Sequence, residues 1–151
     1  MKRLISIIQA LPCITISNEK YYKFSDLLKC LSDKECNMVE VEDFILTPYY
    51  ISGGRRLELY EYELNVLADG EQCVEDYLLA LTGKQSIQDI PGNIVQTKKQ
   101  CYMLFDRNRS KIDASQLIGY LRFVLTNSDV QNQANNCFGS FDADNLYFEI
   151  D

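Results

Sequence analysis

The stretch "CYMLFDRNRSKIDASQL", residues 101–117, places Asp106, Asn108 and Ser110 at alternate positions. Oxygen-bearing side chains at that spacing are donors a hard cation such as calcium would accept. Calcium fills about six to eight oxygen positions, and this run offers too few carboxylates to supply them. Asp and Asn also turn a chain unaided, by bonding nearby backbone amides, which is sufficient reason for their presence. No metal site is therefore expected, and Asp106, Asn108 and Ser110 read as a vestigial loop. Other chemistry is equally sparse. The chain contains no His, which excludes Ser-His and Cys-His nucleophiles and His-ligated zinc. Its six cysteines, Cys13, Cys30, Cys36, Cys73, Cys101 and Cys137, form no C-x-x-C pair. Cys30, Cys73, Cys101 and Cys137 sit in or beside apolar runs, where a free thiol acts as a small hydrophobe, so a reduced intracellular protein is expected. No acid, base and nucleophile converge, and the expectation is a protein without enzymatic activity or cofactor.

Charge narrows the partners. Fifteen basic residues against twenty-two acidic ones leave a formal charge of −7 over 151 residues. A nucleic-acid binder needs a basic surface, so that class is excluded, and a basic partner is favoured. The N-terminal run "MKRLISIIQALPCITI" is interrupted by Gln9 and Pro12 and falls short of the roughly 20 apolar residues that span a bilayer. It reads as a packing arm, and no direct membrane span is expected.

The elements that would hold such a loop show a repeat. "LKCLSD", "LNVLAD", "YMLFDR" and "FGSFDA" each end an apolar pair at Leu31, Leu67, Phe105 and Phe141, spaced 36, 38 and 36 residues apart. Phe24, Leu27, Leu28 and Leu31 form one helical face, with Ser17 or Asn18 as a cap. Leu57, Tyr60, Leu64 and Leu67 in "RRLELYEYELNVL" fit a helical stripe, although Leu57 and Leu59 also alternate as in a strand. Val130, Ala134, Phe138 and Phe141 make a further stripe. After each mark an apolar segment follows: "MVEVEDFIL", "CVEDYLLAL" and "IDASQLIGYLRFVL", with Gly83 as a helix stop and Pro91-Gly92 as a turn. The competing reading is a single α+β domain in which "MVEVEDFIL", "KQCYMLF" and "LYFEID" are strands.

On these residues the chain resembles the EF-hand superfamily in its four-unit, calmodulin-like form, and the myosin essential light chains most of all. "CYMLFDRNRSKIDASQL" has the family's F-D start, Asx-rich loop and central Ile112; "SDKECNMVEVED" follows with central Val39; "ELNVLADGEQCVEDYLLAL" and "FGSFDADNLYFEID" are more degenerate. The resemblance implies an all-α fold of four degenerate helix-loop-helix units in two lobes, joined by short inter-loop strand pairings such as those suited to Val39 and Ile112. It divides the chain into an N-terminal lobe with its arm (1–82), a linker (83–96) and a C-terminal lobe lacking its last helix (97–151). It also implies dead loops: Ser110 or Lys111 replaces the loop Gly, Gln116 stands where a bidentate Glu belongs, and Lys34 occupies a ligand position. Pro48 departs from the pattern, where a helix should continue.

The function so implied is a calcium-independent, cytoplasmic motor subunit, a light chain that clamps and stiffens the basic amphipathic IQ helix of a myosin heavy chain. Met103, Phe105, Leu121, Val124, Leu125, Phe138 and Phe141 would line the groove. A calmodulin- or centrin-like regulator of another target helix would use the same groove. A small acidic inhibitor or immunity-type binding protein with an α+β fold, masking a basic partner, is the third reading.

Overall fold

The computed structural model describes residues 2–68, 94–96, 101–105 and 111–151. The architecture is α+β, which overturns the all-α, four-unit expectation. In chain order the elements begin with β1 (Lys2–Arg3), α1 (Leu4–Gln9), β2 (Cys13–Ile16), β3 (Glu19–Lys23) and α2 (Phe24–Leu31). Then come β4 (Met38–Glu40), β5 (Phe44–Ser52), β6 (Arg55–Glu58), a 3-10 turn (Tyr60–Tyr62) and β7 (Leu64–Ala68). The second half contributes β8 (Ile94–Gln96), β9 (Cys101–Phe105), β10 (Lys111–Asp113), α3 (Ala114–Thr126), α4 (Ser128–Phe138), a 3-10 turn (Ala143–Asn145) and β11 (Leu146–Ile150).

An eight-stranded sheet runs in the order β2-β3-β11-β5-β7-β9-β8, with β6 also paired to β5. Strands from both sides of the expected 83–96 linker share it, so the two-lobe plan does not describe the molecule. The equally spaced anchors fall apart accordingly: Leu31 ends a helix, Leu67 and Phe105 lie in strands, and Phe141 follows α4. "RRLELYEYELNVL" is β6, the 3-10 turn and β7, not a helix. "MVEVEDFIL", "KQCYMLF" and "LYFEID" supply β4 and the start of β5, β9, and β11, as the competing α+β reading had them. Val39 and Ile112, expected in the inter-loop pairings of separate lobes, pair instead with each other within a small sheet of β1, β4 and β10. The vestigial loop Asp106, Asn108 and Ser110 lies outside the described residues, as do "CVEDYLLAL" and most of the linker.

Local chemistry explains the turns. Ser17 and Asn18, expected to cap a helix, instead take left-handed φ values of 52° and 68° and close the β2–β3 hairpin. Gly53 and Gly54, at φ 57° and 76°, close β5–β6 the same way, and Gly adopts that backbone without a Cβ penalty. The true start of α2 is Lys23, without a side-chain cap. Asp113 caps α3 by accepting from the Ser115 amide at 2.9 Å, and Asn127 caps α4 by accepting from Asp129 and Val130. Pro48 sits mid-strand, where β5 changes neighbours: β7 pairs with Phe44–Leu46 and β6 with Tyr49–Ser52. Its carbonyl accepts from the Leu59 amide at 2.8 Å on that side. A residue's N–H and C=O share a side in a strand, so the missing N–H falls at this break in the ladder.

The core lies between α2–α4 and one sheet face. Leu27 and Leu31 of α2, Tyr120, Leu121 and Val124 of α3, and Val130 and Ala134 of α4 pack with Tyr22, Leu46, Tyr50, Leu64, Val66, Leu146 and Phe148 of the strands. Phe24 bridges the layers, its ring 5.5 Å from Phe148 and 6.3 Å from Tyr120. Burial of such large side chains contributes about 1.5–3 kcal/mol each, which makes this layer the main source of stability.

Candidate binding face

Strand alternation sends every second residue to the sheet face that the described helices leave uncovered. Register places Lys23, Tyr147, Tyr49 and Glu58 in one row across β3, β11, β5 and β6. Glu19 and Tyr21 of β3, Glu149 of β11, and Ile51 with its partner Arg56 occupy the same side. Tyr21 and Ile51 are buried yet do not belong to the helix-side core, which fits their position on the opposite face.

The centre of this face is a polar-aromatic knot. The Tyr21 and Tyr49 rings meet edge to face, centroids 5.0 Å apart. Tyr21 Oη donates to Glu19 Oε2 at 3.0 Å and accepts from Arg56 Nη1. The Arg56 guanidinium also lies 5.7 Å from the Tyr21 ring centroid and 3.9 Å from the Glu19 carboxylate. Lys23 Nζ stands 5.9 Å from the centre of the Tyr147 ring. Lys23 and Arg56 are thus held against rings, and Arg56 is also paired with a carboxylate, leaving Glu58 exposed at the end of its row.

Burial is felt by the acids. Glu149 is partly buried, and its Oε2 has no hydrogen-bond partner among the described residues. Loss of hydration first, then the neighbouring Glu19 carboxylate and the Asp151 charge, pushes the Glu149 carboxyl up to about 7. Burial also raises the Tyr21 and Tyr49 phenols, with Glu58 and Glu149 adding to the effect at Tyr49. These tyrosines stay neutral throughout the physiological range, Tyr21 as a hydrogen-bonding ring and Tyr49 as its edge-to-face neighbour. Glu19 and Glu149 border a cleft of about 460 Å³ with Gln9, Lys20, Tyr22 and Ile150.

A larger cleft of about 670 Å³ opens between α1 and the end of α2, lined by Ile7, Leu11, Cys30, Cys36 and Met38 among others. Burial first, then Asp33, pushes the Cys36 thiol up, which favours its protonated form. Cys30 and Cys137, read as small hydrophobes in or beside apolar runs, are exposed free thiols. No described helix is long and apolar enough to cross a membrane.

The groove residues named from sequence do not gather at either place. Leu121 and Val124 are core residues with no surface to offer, and Leu125 is half-buried against that core. Phe138 and Phe141 stack on Tyr50, at 4.9 and 5.7 Å. Met103 and Phe105 lie in β9. Sequence reasoning missed Glu19, Tyr21, Tyr49, Arg56, Tyr147 and Glu149. A signal existed for Tyr147 and Glu149 in the alternation of "LYFEI", with Leu146, Phe148 and Ile150 on the other side, whereas "EKYYK" has no apolar side. No family model, curated protein or solved structure matches the chain.

Proposed function

We propose that the protein is a small acidic binding module that masks a cationic protein surface through the uncovered face of its sheet. The observation that carries this reading is the make-up of that face: Glu19, Glu58 and Glu149 interleaved with the half-buried Tyr49 and Tyr147 around a buried Tyr21, with Lys23 and Arg56 already engaged. Tyrosine presents broad, stiff contact area at low entropic cost, and carboxylates around it select a basic partner. The net charge of −7 acts in the same direction at long range, steering a cationic partner toward encounter. The helix-clamp reading drew its groove from two lobes; the inhibitor-type reading needs only a rigid scaffold with an acidic face.

The test is affinity capture from source cells by the wild-type chain and by Glu58→Lys. Glu58 is exposed at the margin of the face, so its reversal spares the fold. A basic protein retained by the wild type, released by salt and held about tenfold more weakly by Glu58→Lys supports the reading. Capture of an acidic protein, or of a basic one indifferent to both salt and Glu58→Lys, overturns it.

A further inference from the structure

Among the described residues, strand β2 is an edge of the eight-stranded sheet, with β3 on its inner side only. Cys13, Ile14 and Thr15 are exposed, and Ile14 is one of the few large apolar side chains left open to solvent. Edge strands are usually blunted by shortness, charges, prolines or bulges; Cys13–Ile16 is short and preceded by Pro12, but contains no charge and no proline of its own. The hairpin turn decides which backbone groups remain unpaired. With Ser17 and Asn18 both left-handed, the loop is a two-residue primed turn, and Ile16 and Glu19 are the pair that exchanges both backbone hydrogen bonds. Alternation along the ladder then directs the N–H and C=O of Ile14 and Ile16 toward β3. Those of Cys13 and Thr15 point outward.

We propose that this edge pairs antiparallel with β2 of a second copy of the chain, about a twofold axis through Ile14. In that register Cys13 of each copy faces Thr15 of the other, and every outward N–H and C=O finds a partner. The two Ile14 side chains meet across the axis at a non-hydrogen-bonded position, where Cα atoms approach to about 4.5 Å. Moving the axis to Thr15 would set Cys13 against Ser17, whose left-handed backbone cannot extend a ladder. The Ile14 register is therefore the one that satisfies the edge, and it makes an isologous contact. Ile14 lies opposite Tyr21 on the uncovered sheet face, so the apolar contact continues an existing row. No side chain in β2 is charged, and the general repulsion between two acidic chains is screened within about 8 Å at physiological salt. Self-pairing strengthens as salt rises, whereas docking of a cationic protein weakens; the inference stands independently of the proposed function.

The strand is short, so the pairing belongs with weak, reversible interfaces of less than about 1,200 Å². Sedimentation velocity across a dilution series tests it, with half-dimerisation expected near about 100 µM and a shift to lower concentration in added salt. Thr15→Pro removes an outward N–H without touching the β2–β3 ladder, and Ile14→Lys places two ammonium groups face to face across the axis. Each moves the midpoint up by about tenfold or more, with circular dichroism and melting temperature showing that the fold is kept. Should Thr15→Pro fail to fold, Ile14→Lys decides alone. A wild-type chain that stays monomeric to about 1 mM, or a dimer that Ile14→Lys leaves intact, overturns the proposal.

Discussion

Replacing Glu149 by Gln tests the electrostatics of the uncovered face directly. In the folded chain burial and Glu19 push the Glu149 carboxyl up to about 7, against an ordinary 4.5. A carboxyl raised on folding binds its proton more tightly in the native state than in the unfolded one. Its stabilising contribution is therefore complete below about pH 4.5 and is lost as pH rises through about 7. Above that the wild type carries a penalty bounded by about 3 kcal/mol, which solvent access at this partly exposed site reduces to about 1–2 kcal/mol. Gln keeps the shape and cannot ionise. Urea denaturation at a series of pH values is the assay. Relative to wild type, Glu149→Gln should gain nothing near pH 4.5 and about 1–2 kcal/mol at pH 8, with the rise centred between those two ranges. A gain independent of pH, or a loss of stability at pH 8, would refute the argument that Glu149 is held uncomfortably beside Glu19.

Two further substitutions probe the scaffold beneath that face. Tyr120 Oη donates to the Tyr62 carbonyl at 2.8 Å inside the core, so Tyr120→Phe keeps the ring but strips that buried acceptor of a donor; equilibrium unfolding should show a loss of about 1–3 kcal/mol. Gly139 ends α4 at φ +83° with open space where a Cβ would stand, so Gly139→Ala should lose about 1 kcal/mol through backbone strain alone, read as a lower melting temperature.

Several local features were legible before any coordinates. The stripe Phe24, Leu27, Leu28 and Leu31 becomes α2, and "IDASQLIGYLRFVL" contains α3, because one apolar face repeated over whole turns has no rival period. "LYFEID" alternates and becomes β11. "RRLELYEYELNVL" fitted both periods, and its strands form because β5 lies beside them; Tyr49–Ser52 pairs with β6 and Phe44–Leu46 with β7. The near-equal spacing of Leu31, Leu67, Phe105 and Phe141 carried no structural meaning, since those residues serve unrelated elements. Val39 and Ile112 were each expected in a strand pairing inside a separate lobe and pair with each other instead, because a β-branched residue suits a short ladder in either architecture.

The amino-acid sequence on its own settled the acidic charge, the lack of histidine chemistry and the apolar stripes that become α2 and α3. These follow from composition and from preferences spanning a few residues. Strand order and the meeting of Glu19, Tyr21, Tyr49, Arg56 and Glu149 on one face were decided only by tertiary structure. Those residues are brought together by ladders joining segments up to 130 positions apart, as Glu149 and Glu19 are, and hydrogen bonds between strands are blind to side-chain type. What selects among possible ladders is the burial of a shared apolar face, a property of the assembled layer that no single segment contains.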